Sequence, residues 1–395
     1  MERLVEKFRN KLNHTSLSFT RGLMEKINWN SRLIGIKGAR GVGKTTLMLQ
    51  YIKKNFAADQ SVLYVSLDDI WFSDNKLSNL ADRFVKQGGK HLFLDEVHKY
   101  PNWSREIKNL YDDYAELKIV FTGSSLLEIL NASADLSRRA VVYKMQGLSF
   151  REYLNLEIGS DFSIYTLEDI LKDQVKISDA VRSGVRPLQH FPKYLRDGYY
   201  PFFKEDPEQY HDWIGDIINM IIDTELPLLR GVDVSNCKTL KQILLIISES
   251  APFIPNISLL SRRTGIDRNT IINYLKFLAE ADLIRNIYSD SSGLTRLMKP
   301  EKIFLENTNI VYSLRSKQPE KSGLLETYLA NQLSEKQYLT IHEGNGLLTE
   351  TGFVFEIEKE KADLTKYKKN RFLVCDDIEF GGNNRIPAWL FGFLY

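Results

Sequence analysis

The chain has 395 residues, of which 43% are hydrophobic and 26% charged, and its formal net charge is +2. That length leaves room for roughly two to four domains, and the balance is that of a folded soluble protein. The near-neutral charge excludes a strongly basic nucleic-acid coat but leaves a local basic face open.

The opening stretch, MERLVEKFRNKLNH, is charged and helix-like and has no apolar signal core. Residues 1–30 therefore read as a polar, helical N-terminal segment. From Leu33 the texture changes to short apolar runs alternating with amphipathic stretches. LIGIK (33–37), VLYVSL (62–67), HLFLD (91–95), KIVFTG (118–123) and AVVYKM (140–145) read as strands. TTLMLQYIKKNF and WSREIKNLYDDY, between them, have helical spacing. Strand and helix in alternation predict a parallel sheet wrapped by helices over 31–147, with strands buried on both faces. Over 148–234 the strand signals fade into a helical connector or lid. A compact pattern over 235–315 follows, and a last segment, 316–395, opens on the helix LLETYLANQL and continues as strands GFVFEIE, FLVC and AWLFGFLY. Two distant cysteines, Cys237 and Cys375, make no disulfide framework, and no apolar run approaches the ~20 residues that span a bilayer. A cytoplasmic protein without a membrane partner is expected.

GARGVGKTT, residues 38–46, fits G-x-x-x-x-G-K-[ST] at every specified position. Gly38, Gly41 and Gly43 let the backbone turn tightly and aim its N–H groups at a phosphate. Lys44 can reach β- and γ-phosphates, the Thr45 hydroxyl can bind Mg²⁺, and Thr46 is expected with them among the nucleotide-binding residues. A glycine-rich turn with a surface lysine is the alternative, but a strand before and a helix after argue for the phosphate loop.

HLFLDEVHKY then ends an apolar run on two acids. A phosphate loop needs a carboxylate at the end of a neighbouring strand to hold Mg²⁺, and Asp95 is there. Glu96 can polarise a water for attack on a γ-phosphate. Asp68 and Asp69 end another strand and read as loop acids or supports. KIVFTGSS should bring Thr122, Ser124 and Ser125 near the reacting phosphate, with Ser124 the expected water-orienting hydroxyl; simple turn chemistry is the competing reading. Arg138 and Arg139 precede the last core strand, where an arginine can reach a γ-phosphate from the same or a neighbouring subunit, or simply be solvated.

IGIKGARGVGKTTLMLQ, LFLDEVHKYPNWSREIKNLYDD, KIVFTGSS, SRRAVVYKMQGLSFREYL and RIPAWLFGFLY together resemble the AAA-type branch of P-loop ATPases. More closely they resemble a prokaryotic family of standalone ATPases with a winged helix and a nuclease-like C-terminal domain of unknown function. The resemblance implies ATP as nucleotide, Lys44 and Thr45 on phosphate and Mg²⁺, Asp95 on Mg²⁺ and Glu96 as base. It also implies an arginine-finger or sensor role for Arg139, hence a homo-oligomer if that residue acts in trans. The expected fold class is α/β: a P-loop NTPase (AAA-like) parallel sheet core, a helical connector, a winged helix-turn-helix and an α+β nuclease-like C-terminal domain.

ISLLSRRTGIDRNTIINYLKFLAEADLI reads as helix–turn–helix. Gly265 makes the turn, Asp267 caps the second helix, and Ile271, Leu275 and Leu278 face a core. Arg268, Asn269, Asn273 and Lys276 then point outward, suited to a DNA major groove, with Arg262 and Arg263 for phosphates. A packing or protein-binding module is the alternative, because the helix ends on Glu280 and the chain is barely basic. In the last segment the nuclease resemblance makes Glu326 the first metal-binding acid. The expected strand aspartate aligns with Gly352, and Glu356, Glu358 and Lys359 do not form E-x-K. A site lacking its central acid should bind metal poorly, which leaves a structural or partner-binding cap. The reading is a Mg²⁺-dependent ATPase that acts on DNA or protein; a slow nucleotide-gated signalling or defence switch and an ATP-dependent nuclease are the alternatives.

Overall fold

Five apolar runs pair into one parallel sheet in the computed structural model of the chain, which describes residues 1–56, 59–123, 136, 138–289, 299–315, 317–342, 346–357, 370–382 and 384–395. The chain divides into two compact units, Met1–Gly147 and Leu148–Tyr395.

In the first unit the strands are β1 (Leu33–Lys37), β2 (Val62–Ser66), β3 (His91–Asp95), β4 (Lys118–Gly123) and β5 (Val141–Lys144). Their spatial order is β2-β3-β4-β1-β5. The chain leaves β1 and returns at the far edge, so the crevice beyond the carboxyl ends of β1 and β3 is the topological switch where open α/β sheets bind ligands. The helices are α1 (Glu2–His14), α2 (Leu23–Lys26), α3 (Lys44–Phe56), α4 (Leu77–Lys86) and α5 (Trp103–Asp113). β1, β3 and β4 are buried nearly throughout, as expected, but β5 is an edge on which Val141 and Val142 remain 43% and 42% exposed.

The N-terminal segment is integral to this unit. Leu4, Phe8 and Leu12, at helical spacing, bury one face of α1 against β2 and α3. Behind α1 the chain is latched to α3: Gln50 Nε2 donates to the carbonyls of Ser16 (2.8 Å) and Phe19 (2.7 Å), and Lys53 Nζ to that of Thr15 (2.7 Å).

The second unit holds α6 (Phe150–Ile158), α7 (Leu167–Arg182), α8 (Pro187–Asp197), α9 (Tyr210–Met220), α10 (Leu226–Arg230), α11 (Cys237–Glu249), α12 (Ile257–Thr264), α13 (Arg268–Glu280), α14 (Thr308–Leu314) and α15 (Lys321–Leu333). Its strands are β6 (Ile284–Ser289), β7 (Lys302–Leu305), β8 (Leu339–Ile341), β9 (Leu347–Thr349), β10 (Val354–Ile357), β11 (Arg371–Cys375) and β12 (Arg385–Pro387). They form one mixed sheet in the order β12-β11-β10-β9-β8-β6-β7.

The expected segments 148–234, 235–315 and 316–395 therefore fall within a single unit. Two features join them. Tyr288 on β6 pairs in parallel with Thr340 on β8, which carries the sheet across the second boundary. Asn309, fully buried, accepts from the Tyr199 N–H (2.7 Å) and the Tyr210 hydroxyl (2.5 Å) and donates to the Leu195 carbonyl (2.9 Å), which ties α14 to the connector helices. AWLFGFLY is also not a strand: Ala388–Phe393 is a short 3₁₀ helix whose Trp389, Leu390, Phe391 and Phe393 are all buried. A Cβ on Gly392 would lie 2.4 Å from Phe150 Cβ, so this turn packs as closely as glycine permits. No helix of the described residues is long and apolar enough to cross a membrane.

Candidate active site

β1 ends at Lys37 and the loop after it is shaped by its glycines. A Cβ on Gly38 would meet the Met145 carbonyl oxygen at 2.1 Å, so only glycine lets the loop leave the sheet there. Gly41 and Gly43 follow at φ 83° and 98°, conformations that cost a side chain dearly. Lys44, the first residue of α3, is 5% exposed and folds back to donate to the carbonyls of Gly38 and Ala39, each at 2.8 Å. Its ammonium thus sits over the loop at the N-terminus of a 13-residue helix, whose free amides and dipole favour an anion. Thr46, two residues further in, is exposed.

Register brings the acids alongside. Ser66 on β2 is level with Asp95, and Leu94 is level with Phe121 on β4, so Asp95 lies beside Thr122. Asp95 is 2% exposed and accepts from three hydroxyls. Thr45 Oγ1 donates to Asp95 Oδ2 at 2.7 Å, Tyr64 donates to the same oxygen at 2.8 Å, and Thr122 donates to Oδ1. Burial, followed by the charge of Asp95, pushes the Tyr64 phenol far above its ordinary range, so it remains a donor. A carboxylate at hydrogen-bond distance from a threonine hydroxyl, at the mouth of an anion-binding loop, is a hard oxygen pair suited to Mg²⁺.

Glu96, the residue after β3, is in the left-handed region, at φ 52° and ψ 41°. That turn separates it from Asp95 and brings its carboxylate to 3.5 Å from His98 Nε2. His98 is buried, and burial first, then the cations Lys99, Lys44 and Arg40, depresses its pKa to about 3. The imidazole is therefore neutral at pH 7, and the contact is no ion pair.

The loop residues Gly38, Gly41, Gly43, Lys44 and Thr45 thus meet Asp95 and Glu96 at one edge of the sheet. Ser124 and Ser125 lie outside the described residues. Thr122 supports the Asp95 carboxylate instead of facing a water. Asp69 caps the short 3₁₀ helix Ile70–Ser73 and pairs with Lys7 on α1, while Asp68 accepts from Ser66 (2.5 Å).

Arg139 requires a correction. Lys144 of β5 is level with Lys37, so Arg139 stands five residues back, ~16 Å from the loop at ~3.3 Å per residue. It chelates Asp112 at the end of α5, with contacts of 3.0 and 3.1 Å, on the opposite edge of the sheet. An arginine there does not reach its own chain's phosphate loop.

Three site residues escape sequence reasoning. Tyr64 looks like one more apolar strand residue. His98 looks like a loop histidine. Arg21 lies in the polar N-terminal stretch, yet it is 6% exposed and donates to the carbonyls of Val42 (2.7 Å), Gln146 (2.7 Å) and Gly147 (2.8 Å). It ties the phosphate loop to the chain beyond β5. The one available signal is an arginine amid residues that otherwise cap and turn.

In the second unit, Asn256 caps α12, Gly265 turns the chain at φ 72°, and Asp267 caps α13 by accepting from the Asn269 (2.9 Å) and Thr270 (3.0 Å) N–H groups. Arg262, Arg263, Arg268, Asn269, Asn273 and Lys276 are all exposed, and Lys276 lies 4.0 Å from Glu280. Glu326 is held by Lys302 Nζ at 2.8 Å, and Glu356 by Arg371. Gly352 sits at φ 84° in the turn before β10, while Glu358 and Lys359 lie outside the described residues.

A parallel sheet with a glycine loop after its first strand and a carboxylate at the end of a neighbouring one defines a P-loop protein. A family model described as an AAA domain matches residues 30–154, so that segment is similar to the AAA-type domains of P-loop ATPases. A second model, a domain of unknown function, matches residues 188–321. The chain is similar to an uncharacterized protein of Methanocaldococcus jannaschii, 30% identical over 291 residues that cover 70% of this chain and 61% of that protein. It thus spans about three fifths of that relative's length. A second uncharacterized protein of the same organism is 25% identical over 366 residues, covering 89% of this chain and 75% of the other. Among solved structures, a Walker-type ATPase of Pyrococcus abyssi aligns with a TM-score of 0.38 at 14% identity, covering 78% of this chain and 95% of that one.

Proposed function

We propose that the chain is a Mg²⁺-dependent ATPase that couples turnover to a conformational change directed at DNA or protein. The observation that carries this reading is the 2.7 Å contact between Thr45 Oγ1 and Asp95 at the mouth of the glycine loop, with Glu96 next in sequence. In the proposed reaction the loop and Lys44 hold the β- and γ-phosphates. Thr45 and Asp95 would hold Mg²⁺, which when bound neutralises charge building on the phosphates. Glu96 orients a water and takes its proton as the oxygen attacks phosphorus; the bond to the β–γ bridging oxygen breaks, and ADP and phosphate leave.

Turnover by the purified protein tests this. Lys44→Ala should lose nucleotide binding. Glu96→Gln should bind ATP as before and turn over ~10²–10⁴-fold more slowly. Hydrolysis by Glu96→Gln at the wild-type rate would remove the base from the mechanism.

The exposed basic residues Arg262, Arg263, Arg268 and Lys276, with the β6–β7 hairpin after α13, support a winged helix that binds DNA. Stimulation of turnover by DNA, lost in Arg268→Glu, is the expected result. Slow turnover indifferent to DNA would favour a nucleotide-gated switch with a protein partner. The pairing of Glu326 with Lys302 supports a C-terminal segment that serves as a structural or partner-binding cap. Metal-dependent DNA cleavage abolished by Glu326→Ala would reverse that assignment. Arg139, remote from its own site, is left for a neighbouring copy in a homo-oligomer. A cytoplasmic location accords with the two free cysteines.

A further inference from the structure

We infer that Lys11, on α1, is a positioning residue for the metal site: through the Tyr64 hydroxyl it fixes the Asp95 carboxylate that would hold Mg²⁺. This inference rests on the ATPase reading and takes it further, because it brings the N-terminal helix into the control of the metal.

β2 is the outer strand of the first sheet, and α1 packs on it. Tyr64 is level with Phe93, two residues short of Asp95, a rise of ~6.6 Å. A tyrosine side chain covers that span and a serine or threonine does not. The phenol is 3% exposed and donates to Asp95 Oδ2 at 2.8 Å. From the other side Lys11 Nζ donates to the same phenol oxygen at 3.2 Å. The ammonium is 5.2 Å from the centre of the ring, so the hydroxyl is what it touches. Lys7, one turn earlier on the same face of α1, pairs with Asp69 just past the end of β2. Phe8 packs against the Tyr64 ring, with centroids 6.0 Å apart. Lys11 thus reaches the phenol from a helix that is itself fixed against β2.

A phenol O–H turns about its C–O bond and can point to either side of the ring. With an ammonium proton already aimed at its oxygen, its own proton is directed away, toward Asp95. The positive charge also polarises the O–H bond, and hydrogen bonds in a chain strengthen one another. Asp95 Oδ2 is then held by Tyr64 and Thr45, and Oδ1 by Thr122. A carboxylate whose orientation is set in advance binds a metal without first having to be ordered. A cavity of about 390 Å³, lined among others by Lys7, Lys11, Tyr64, Ser66 and Asp69, lies beside the contact. It leaves room for a larger cation, so Lys11→Arg can keep the bond.

The test reads the Mg²⁺ concentration that half-saturates binding of a non-hydrolysable ATP analogue. In Lys11→Met, which keeps the apolar stem and removes the donor, that concentration should rise about two- to fourfold, less than in Tyr64→Phe. Affinity for ADP without metal should be unchanged. In a Tyr64→Phe background Lys11→Met should add nothing, because the relay is already broken. Lys11→Arg should restore most of the wild-type value. An unchanged Mg²⁺ requirement in Lys11→Met would overturn the inference. A rise of the same size in both backgrounds, or an equal loss of ADP and analogue binding, would assign Lys11 to the packing of α1 and overturn it too. Analogue binding by the wild type that is indifferent to Mg²⁺ would overturn it as well. If the wild-type protein binds the analogue with Mg²⁺ but never hydrolyses ATP, the ATPase reading fails, and the Mg²⁺ titration still decides the role of Lys11.

Discussion

Arg21→Ala is expected to loosen the phosphate loop from a position 17 residues before it in sequence, the difference between 21 and 38. The buried guanidinium donates to three carbonyl oxygens at 2.7, 2.7 and 2.8 Å, one in the loop and two at the end of the unit's chain. Each hydrogen bond from a charged donor is worth about 1.5–3 kcal/mol, so a plain sum is about 5–9 kcal/mol. The three share one planar group and are not additive, and water entering the space left by the side chain restores part of the bonding. The expected loss is therefore about 3–5 kcal/mol, the usual cost of breaking a buried charged network from one side. A global melt would mix the two units, so local hydrogen exchange, read on peptides covering residues 40–47 and 140–147, is the appropriate assay. Nucleotide affinity should fall with it, and Arg21→Lys, able to serve fewer of the acceptors, should lie between. A loss under about 1 kcal/mol in both peptides would refute the idea that this residue braces the loop.

Tyr64→Phe removes one of three donors to Asp95 without changing ring volume; the carboxylate gains rotational freedom, so the Mg²⁺ concentration that half-saturates turnover should rise about three- to tenfold at unchanged ADP affinity without metal. His98 contributes a pH dependence whose sign follows from its depressed pKa. The unfolded chain takes up a proton near the ordinary value of 6.5 and the folded one only near about 3, so stability is complete above pH 6.5 and is lost as pH falls toward 3. The gap corresponds to as much as about 5 kcal/mol, and urea titrations of His98→Gln between pH 7 and 4 should show a flatter decline than the wild type. Arg139→Ala should leave turnover unchanged at high dilution; a loss of rate under those conditions would show the residue reaching its own site.

Much of the first unit was legible because its strands are continuous apolar runs that end on residues with a task. LIGIK stops at the glycine loop, HLFLD at the acid pair, and KIVFTG at its glycine, and these three match the observed strands residue for residue. Spatial order was not legible, because apolar periodicity says which faces are buried but not which strand lies alongside. That is why Arg139, close in sequence to the last core strand, was expected at the site although β5 begins at the other edge. Tyr64 hid because a buried phenol and a buried phenylalanine look alike in a strand pattern until its neighbour is known to be Asp95. The run at 388–393 illustrates a different limit: a short, wholly buried apolar stretch has no exposed face to reveal its period. The domain boundaries expected in the second unit followed changes of texture, whereas the contacts that unite it, such as those of Asn309, join residues about 100 positions apart.

Glu96 holds its left-handed backbone with a side chain where glycine or asparagine would rest more easily, at a cost of about 1 kcal/mol. The position is thus a small deposit of strain stored at the acid itself. On the proposed mechanism, Glu96→Gly would relieve that strain and also remove the acid that orients the water, so backbone ease and turnover pull in opposite directions at this one position.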